Sequence, residues 1–190
     1  IDTIPNNKGF KNEYAEHSKS DNRLISLKRR SFITGREILE RELVILGNQK
    51  NIDHIQISEV KLRLADWHLL FEKRQSAMMI YQNTYHYVLD HAEGNMLYKQ
   101  LFAKPVALPN LPNLETNLQD DVSLASLTPD IKFVEASFDV TRHGKAKNIT
   151  IINSNIDENT RLRSRALKSL RLAKFRPKFE EGIPTRTEKM

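Results

Sequence analysis

Between Val134 and Pro177 the chain carries, in order, a strand alternation, a glycine turn, a second strand, a basic amphipathic helix and a stop. Val134, Ala136, Phe138 and Val140 fall on one face of an extended segment, and Glu135, Ser137 and Asp139 on the other. That is the period of two that a half-buried strand requires. Thr141-Arg142-His143-Gly144-Lys145 follows as a hairpin turn in which Gly144 supplies a positive φ. Residues 146–153 return as the partner strand. A helix is predicted from Asp157 or Asn159 to about residue 174, with Leu162, Ala166, Leu167, Leu170 and Ala173 on its apolar stripe and Phe175 beyond. Pro177 forbids its continuation. Gly182-Ile183-Pro184 turns the chain into a third strand over residues 185–190. The order is ββαβ, a helix packed on one face of a small antiparallel sheet.

This part of the chain also holds its basic character. Residues 131–190 contain 14 Lys and Arg against 7 Asp and Glu, a net +7, whereas the remaining 130 residues contain 16 against 17, a net −1. Arg161, Arg163, Arg165, Lys168, Arg171, Lys174, Arg176 and Lys178 make the helix and its exit a cationic surface. Such a surface is a solvated face, or meets an acidic protein, an anionic lipid or nucleic acid. Nucleic acid fits least, because the sheet lacks aromatic stacking positions and only Phe175 and Phe179 lie near the cations.

In order the residues read Val134-x-Ala136-x-Phe138-x-Val140, Gly144, Asn148, Ile149-x-Ile151, Ser154, Ala166, Leu170 and Phe175-x-Pro177. This pattern, about a third of the chain, resembles the C-terminal domain of TonB-type energy transducers. The resemblance implies a protein-binding module without a catalytic group, placed in the periplasm of a Gram-negative envelope. It implies that the last strand accepts an extended peptide from an outer-membrane receptor, with affinity supplied by main-chain hydrogen bonds. Carried onto this sequence, the binding edge is Thr185, Arg186, Thr187, Glu188, Lys189 and Met190, supported by Ile183. The same strand could equally complete the sheet or pair with a second copy of itself. Thr128-Pro129-Asp130 stands where the family often has Tyr-Pro, and no long Pro/Lys-rich spacer precedes the module. A module that binds without transmitting energy is therefore also in view.

Upstream, residues 24–102 are helical by pattern. Ile38, Leu39, Leu43, Ile45 and Leu46 predict a helix over 31–46, stopped by Gly47-Asn48. A second is predicted over 58–71, capped by Ser58, with Val60, Leu62, Leu64, Trp67, Leu70 and Phe71 as its broad stripe. A third runs over 75–91 and a short fourth over 95–102, before Pro105. The second and third resemble one tetratricopeptide unit: Ala65 stands 12 residues before Ala77, and Tyr81 follows four later. Small residues let two antiparallel helices approach while the aromatic fills the gap beside them. His68 departs from that pattern at a position where tyrosine is common. An exposed subset of Lys73, Arg74, Tyr85 and Tyr87 could contact a partner. Pro105, Pro109, Pro112 and Pro129 mark residues 105–130 as a linker, with Leu108, Leu111 and Leu114 able to dock on a neighbouring surface. Residues 1–22 are polar and read as a loose lead-in with a short helix near 11–17.

Other function classes find little support. With no cysteine there is no disulfide framework, thiol nucleophile or cysteine-ligated metal. His86 and His91, five apart, do not share a helical face, so no metal ligation is expected of them. There is no Gly-x-Ser-x-Gly, no glycine-rich phosphate loop and no His-Glu-x-x-His, and Asp120-Asp121 sit in the linker. Neither an enzyme nor a cofactor is expected. No apolar run reaches the roughly 20 residues that span a bilayer. The start at Ile1, without Met or a signal layout, is expected of a mature form or a trimmed piece. The reading is thus α+β. A tetratricopeptide-like helical domain (23–104) and a linker (105–130) precede a TonB-like domain (131–190) that binds an outer-membrane receptor or another envelope protein. A homodimer through the last strand is possible on the same residues. The alternative is a non-transducing envelope scaffold or assembly factor that binds partners through its helical domain.

Overall fold

The computed structural model describes residues 9–91, 94–109, 133–158 and 161–190. Helices come first and short antiparallel strands follow, a mixed α+β architecture. The helices are α1 (Gly9–Gly47), α2 (His54–Leu70), α3 (Arg74–Leu89), α4 (Gly94–Phe102) and α5 (Arg161–Leu172). The strands are β1 (Val106–Ala107), β2 (Val134–Val140), β3 (Ala146–Ser154), β4 (Phe175–Arg176), β5 (Lys178–Glu180) and β6 (Ile183–Thr185).

α1 is longer than its apolar spacing predicts. It is helical from Gly9, through most of the stretch expected as a loose lead-in, while residues 1–8 lie outside the described residues. Its polar N-terminal half lacks helix breakers, so the well-packed C-terminal turns can propagate the helix backwards. The packed part starts near Phe32. Leu39, Leu43 and Leu46 meet Ile57 and Val60 of α2. Trp67 of α2 lies over Gly35, where a Cβ would come within 2.2 Å of the indole. The indole N–H donates to the Phe32 carbonyl at 3.0 Å. Gly47 closes the helix where expected.

α2 starts a turn earlier than the sequence reading placed it. Asp53 is the cap, its carboxylate accepting the N–H groups of Ile55 and Gln56, both at 3.0 Å. Ser58 is buried inside the helix and donates to the His54 carbonyl at 2.8 Å instead. α2 and α3 pack as a hairpin in which Ala65, Ala77 and Tyr81 are fully buried.

One hydrophobic core joins the helices to the C-terminal strands. It gathers Leu62, Leu69, Tyr85, Val88 and Phe102 with Leu108, from the Pro-containing segment, and Phe179 of β5. The expected docking of Leu108 is present, whereas Leu111 and Leu114 lie outside the described residues. β1, on the same segment, pairs with β4, Val106 opposite Arg176. A polar clamp spans the junction. Arg176 donates to both Asp66 carboxylate oxygens, at 2.6 and 3.0 Å, and the Tyr81 hydroxyl donates to the same carboxylate at 2.5 Å. Arg176 and Asp66 side chains are only 12% and 14% exposed.

A second, smaller core lies under the β2–β3 hairpin. Val140, Ala146 and Phe175 are buried there, with Phe138, Ile149, Leu170 and Ala173 against them. Gly144 adopts φ 72°, as the turn demands, and the Phe175 carbonyl would lie 2.0 Å from any Cβ at that position. Two bulges break the pairing. Glu135 faces Asn153 but Ala136 faces Ile151, leaving Ile152 over. A second extra residue falls between Lys147 and Thr150, where Asn148 takes φ 51°.

Candidate partner-binding edge

β5 and β6 form a tight hairpin. Its two loop residues, Glu181 (φ 51°) and Gly182 (φ 81°), both have positive φ, the geometry that matches strand twist in two-residue turns. Ile183 therefore pairs with Glu180, and Thr185 with Lys178. The last strand was expected to begin at Thr185; it begins at Ile183, because the turn rather than Pro184 sets the register.

Beyond Thr185 the chain changes partner. Thr187 exchanges both main-chain hydrogen bonds with Val140, at 2.9 and 2.8 Å. Met190 exchanges both with Phe138, at 2.9 and 3.3 Å. Three tail residues span two on β2, and the extra one is absorbed at Lys189, whose φ is 53°. Ile183, Thr185, Thr187 and Met190 thus direct their main-chain groups inward, to β5 and then to β2. Arg186 and Glu188 alternate with them and present N–H and C=O on the opposite edge. Pro184, on that same outer edge, has no N–H to offer. Of the seven residues assigned to the edge from sequence, Ile183, Thr185, Thr187 and Met190 face β5 or β2, the Lys189 N–H goes to Asp139, and Arg186 and Glu188 stand between them.

Asp139 fixes this tail. The alternation places it on the solvent face of β2, yet it is buried at 7% exposure. Arg186 and Asn148 both donate to its Oδ2, Asn148 at 2.6 Å, and the Lys189 N–H donates to Oδ1 at 3.1 Å. The Arg186 hydrogen bond first, then those from Asn148 and Lys189, hold its carboxyl down at about 2. The ionised carboxylate thus pins Arg186 and the bulge together. Ser137, Thr150 and Glu188 complete the open polar depression around it. In sequence, an Asp within a β-rich run is the signal for such a role, but its partners lie up to 50 residues away.

The other partner-facing residues proposed on the helices separate. Tyr85 is buried in the main core. Tyr87 stands under the Lys61 ammonium, 3.4 Å from the ring centroid, and its hydroxyl meets His54 Nδ1 at 2.8 Å. Arg74 pairs with Glu72 at 2.7 Å, and Lys73 lies 5.9 Å from the Phe32 ring. No concave cluster forms from the four. Met78 packs on the core, but Met79 is 58% exposed. Among the described residues no group of three or more His, Cys, Asp or Glu is placed to hold a metal, and no helix is long and apolar enough to cross a membrane. Comparison with known proteins finds no matching family model, no curated relative and no matching solved structure.

Proposed function

We propose that this chain is a TonB-like protein-binding component of a Gram-negative envelope. It engages an outer-membrane transporter or receptor in the periplasm by adding a strand at the outer edge of its C-terminal tail. In this reading α2 and α3 are tetratricopeptide-like, the C-terminal region is a ββαβ module, and the chain binds rather than catalyses. The observation that carries the reading is the division of the tail's two edges. Its inner edge is committed to β5 and β2, while Arg186 and Glu188 offer main-chain donors and acceptors outward. Pro184 and the Lys189 bulge limit the free stretch to this short run, so an added strand would gain most of its specificity from side-chain contacts. The same edge would serve a second copy of the chain.

The test is capture from an envelope fraction with a crosslinker at residue 183, which is exposed and present in every chain compared, and identification of the captured protein. The natural C-terminus, a chain ending at Pro184 and the variant Glu188→Pro are compared. Crosslinking to an outer-membrane receptor that is lost in both altered chains supports strand addition. Equal capture by all three moves the binding site elsewhere. A second reading, a non-transducing scaffold that binds through its helices, is favoured by one feature. α1 leaves Ile38, Val44 and Ile45 exposed at 59%, 63% and 63%.

A further inference from the structure

The helix α5 is bound to the rest of the protein along one side only. It packs chiefly against β3, and Arg163, Leu167 and Leu170 are the half-buried residues of its inner face. None of its residues is fully buried. Arg161, Arg165, Lys168 and Leu172 follow the spacing i, i+4, i+7, i+11 and form one outward row. Leu162 borders that row on one side and Arg171 on the other, and all six are exposed. Leu162 is 54% exposed and Leu172 57%. The helix contains no acidic residue. Glu158 precedes it and turns to Arg163, 3.4 Å away, with Asp157 beside it in sequence.

This face has two properties together. It is cationic on a helix that holds no acidic residue of its own, and it projects leucines from among the cations. A solvated face accounts for the first and not the second. The face is the outside of a lone helix, hence convex, and offers no groove to a peptide. α5 carries no aromatic side chain on which bases could stack. A flat, diffuse, anionic interface with an apolar layer beneath it matches both properties.

We propose that the outer face of α5 lies on an anionic bilayer surface. Arg161, Lys168 and Arg171 meet lipid phosphates, and Leu162 and Leu172 dip toward the acyl boundary. This site is separate from the tail edge, so the chain could hold a membrane surface and a protein partner at once. Each cation near an anionic leaflet strengthens attachment about fivefold, and salt screens the attraction.

The experiment is vesicle co-sedimentation of the full chain, with phosphatidylcholine alone and mixed with phosphatidylglycerol. Binding is expected only with the anionic lipid and should fall steeply with salt. The triple variant Arg161→Gln/Lys168→Gln/Arg171→Gln should bind on the order of a hundredfold more weakly. Leu162→Ser/Leu172→Ser should lose about tenfold while keeping the salt dependence. These positions are exposed, so circular dichroism of each variant should match the parent. The proposal is overturned if the folded parent ignores anionic vesicles, or if the triple variant binds as well as the parent. It is also overturned if the leucine variant is unaffected while poly-glutamate or duplex DNA competes fully, which would make α5 a site for soluble polyanions.

Discussion

The junction between helices and strands can be probed at Asp66. Its carboxylate receives two guanidinium hydrogen bonds from Arg176 and one from the Tyr81 hydroxyl, among groups that are largely shielded from water. Burial works against the Arg176 charge, and the Asp66 carboxylate more than offsets it, so the guanidinium pKa is raised. Burial, then the neighbouring Asp66 charge, pushes the Tyr81 phenol well above its ordinary range. Asp66→Asn keeps the shape and an acceptor for Tyr81 but leaves a buried cation without its counter-charge. Breaking such a pair from one side costs about 3–5 kcal/mol. With a urea dependence of roughly 2–3 kcal/mol per molar, the unfolding midpoint should fall by about 1–2.5 M. Asp66→Leu/Arg176→Met removes both charges and should recover most of the loss, to within about 1–3 kcal/mol of the parent, the remainder being the buried Tyr81 hydroxyl left without its acceptor. The assay is equilibrium urea unfolding read by Trp67 fluorescence and by circular dichroism. Because Phe179 belongs to the helical core, both probes should move together in the single variant. A loss below about 1 kcal/mol for Asp66→Asn, or a double variant no better than the single one, would refute the reasoning.

Three further outcomes are expected. Gly144→Ala must place a Cβ 2.0 Å from the Phe175 carbonyl at φ 72°, so a loss of at least about 2 kcal/mol in thermal or urea unfolding should follow. Asp53→Ala removes the α2 cap and should cost about 1 kcal/mol by the same measurements. Asp139 has a folded pKa, about 2, below its unfolded value near 4, so its contribution is present above about pH 4 and is lost as pH falls through about 2. Amide-exchange protection at Thr187 and Met190 should therefore drop across that window, and should already be low at neutral pH in Asp139→Asn. Unchanged protection in that variant would show that Asp139 does not hold the tail.

Local patterns carried much of this structure. The alternation from Val134 to Val140, the Gly144 turn and the return strand are all present, as are the four upstream helices, three of them offset by a few residues at their ends and α1 reaching back to Gly9 rather than residue 31. α2 starts at His54 rather than at residue 58 because Asp53, and not Ser58, accepts its first N–H groups. Side-chain chemistry favours both, and only burial of Ser58 decides between them. Apolar spacing reports packing, so it marks only the packed C-terminal part of α1. A polar helix extending from a packed one leaves no such trace.

The candidate edge divides the same way. Sequence placed a strand at the C-terminus, since Pro177 and the Gly182 turn leave few alternatives. It could not say which edge of that strand stays free, because strand alternation is identical for either choice of partner. That depends on the tail leaving β5 for β2, on a bulge at Lys189, and on Asp139 meeting residues far along the chain. The sequence by itself determined the helices, the β2–β3 hairpin and the cationic, acid-free character of α5, since these rest on periodicity and composition within a few turns of chain, whereas the short strands β1, β4 and β5 left no such pattern. The tertiary structure alone decided the rest: that Phe179 and Leu108 share the helical core, that Asp66 faces Arg176, and that α5 is covered on one side only. These are contacts between residues distant in sequence, and a hydrophobic or charged side chain carries no local mark of which distant partner it will meet.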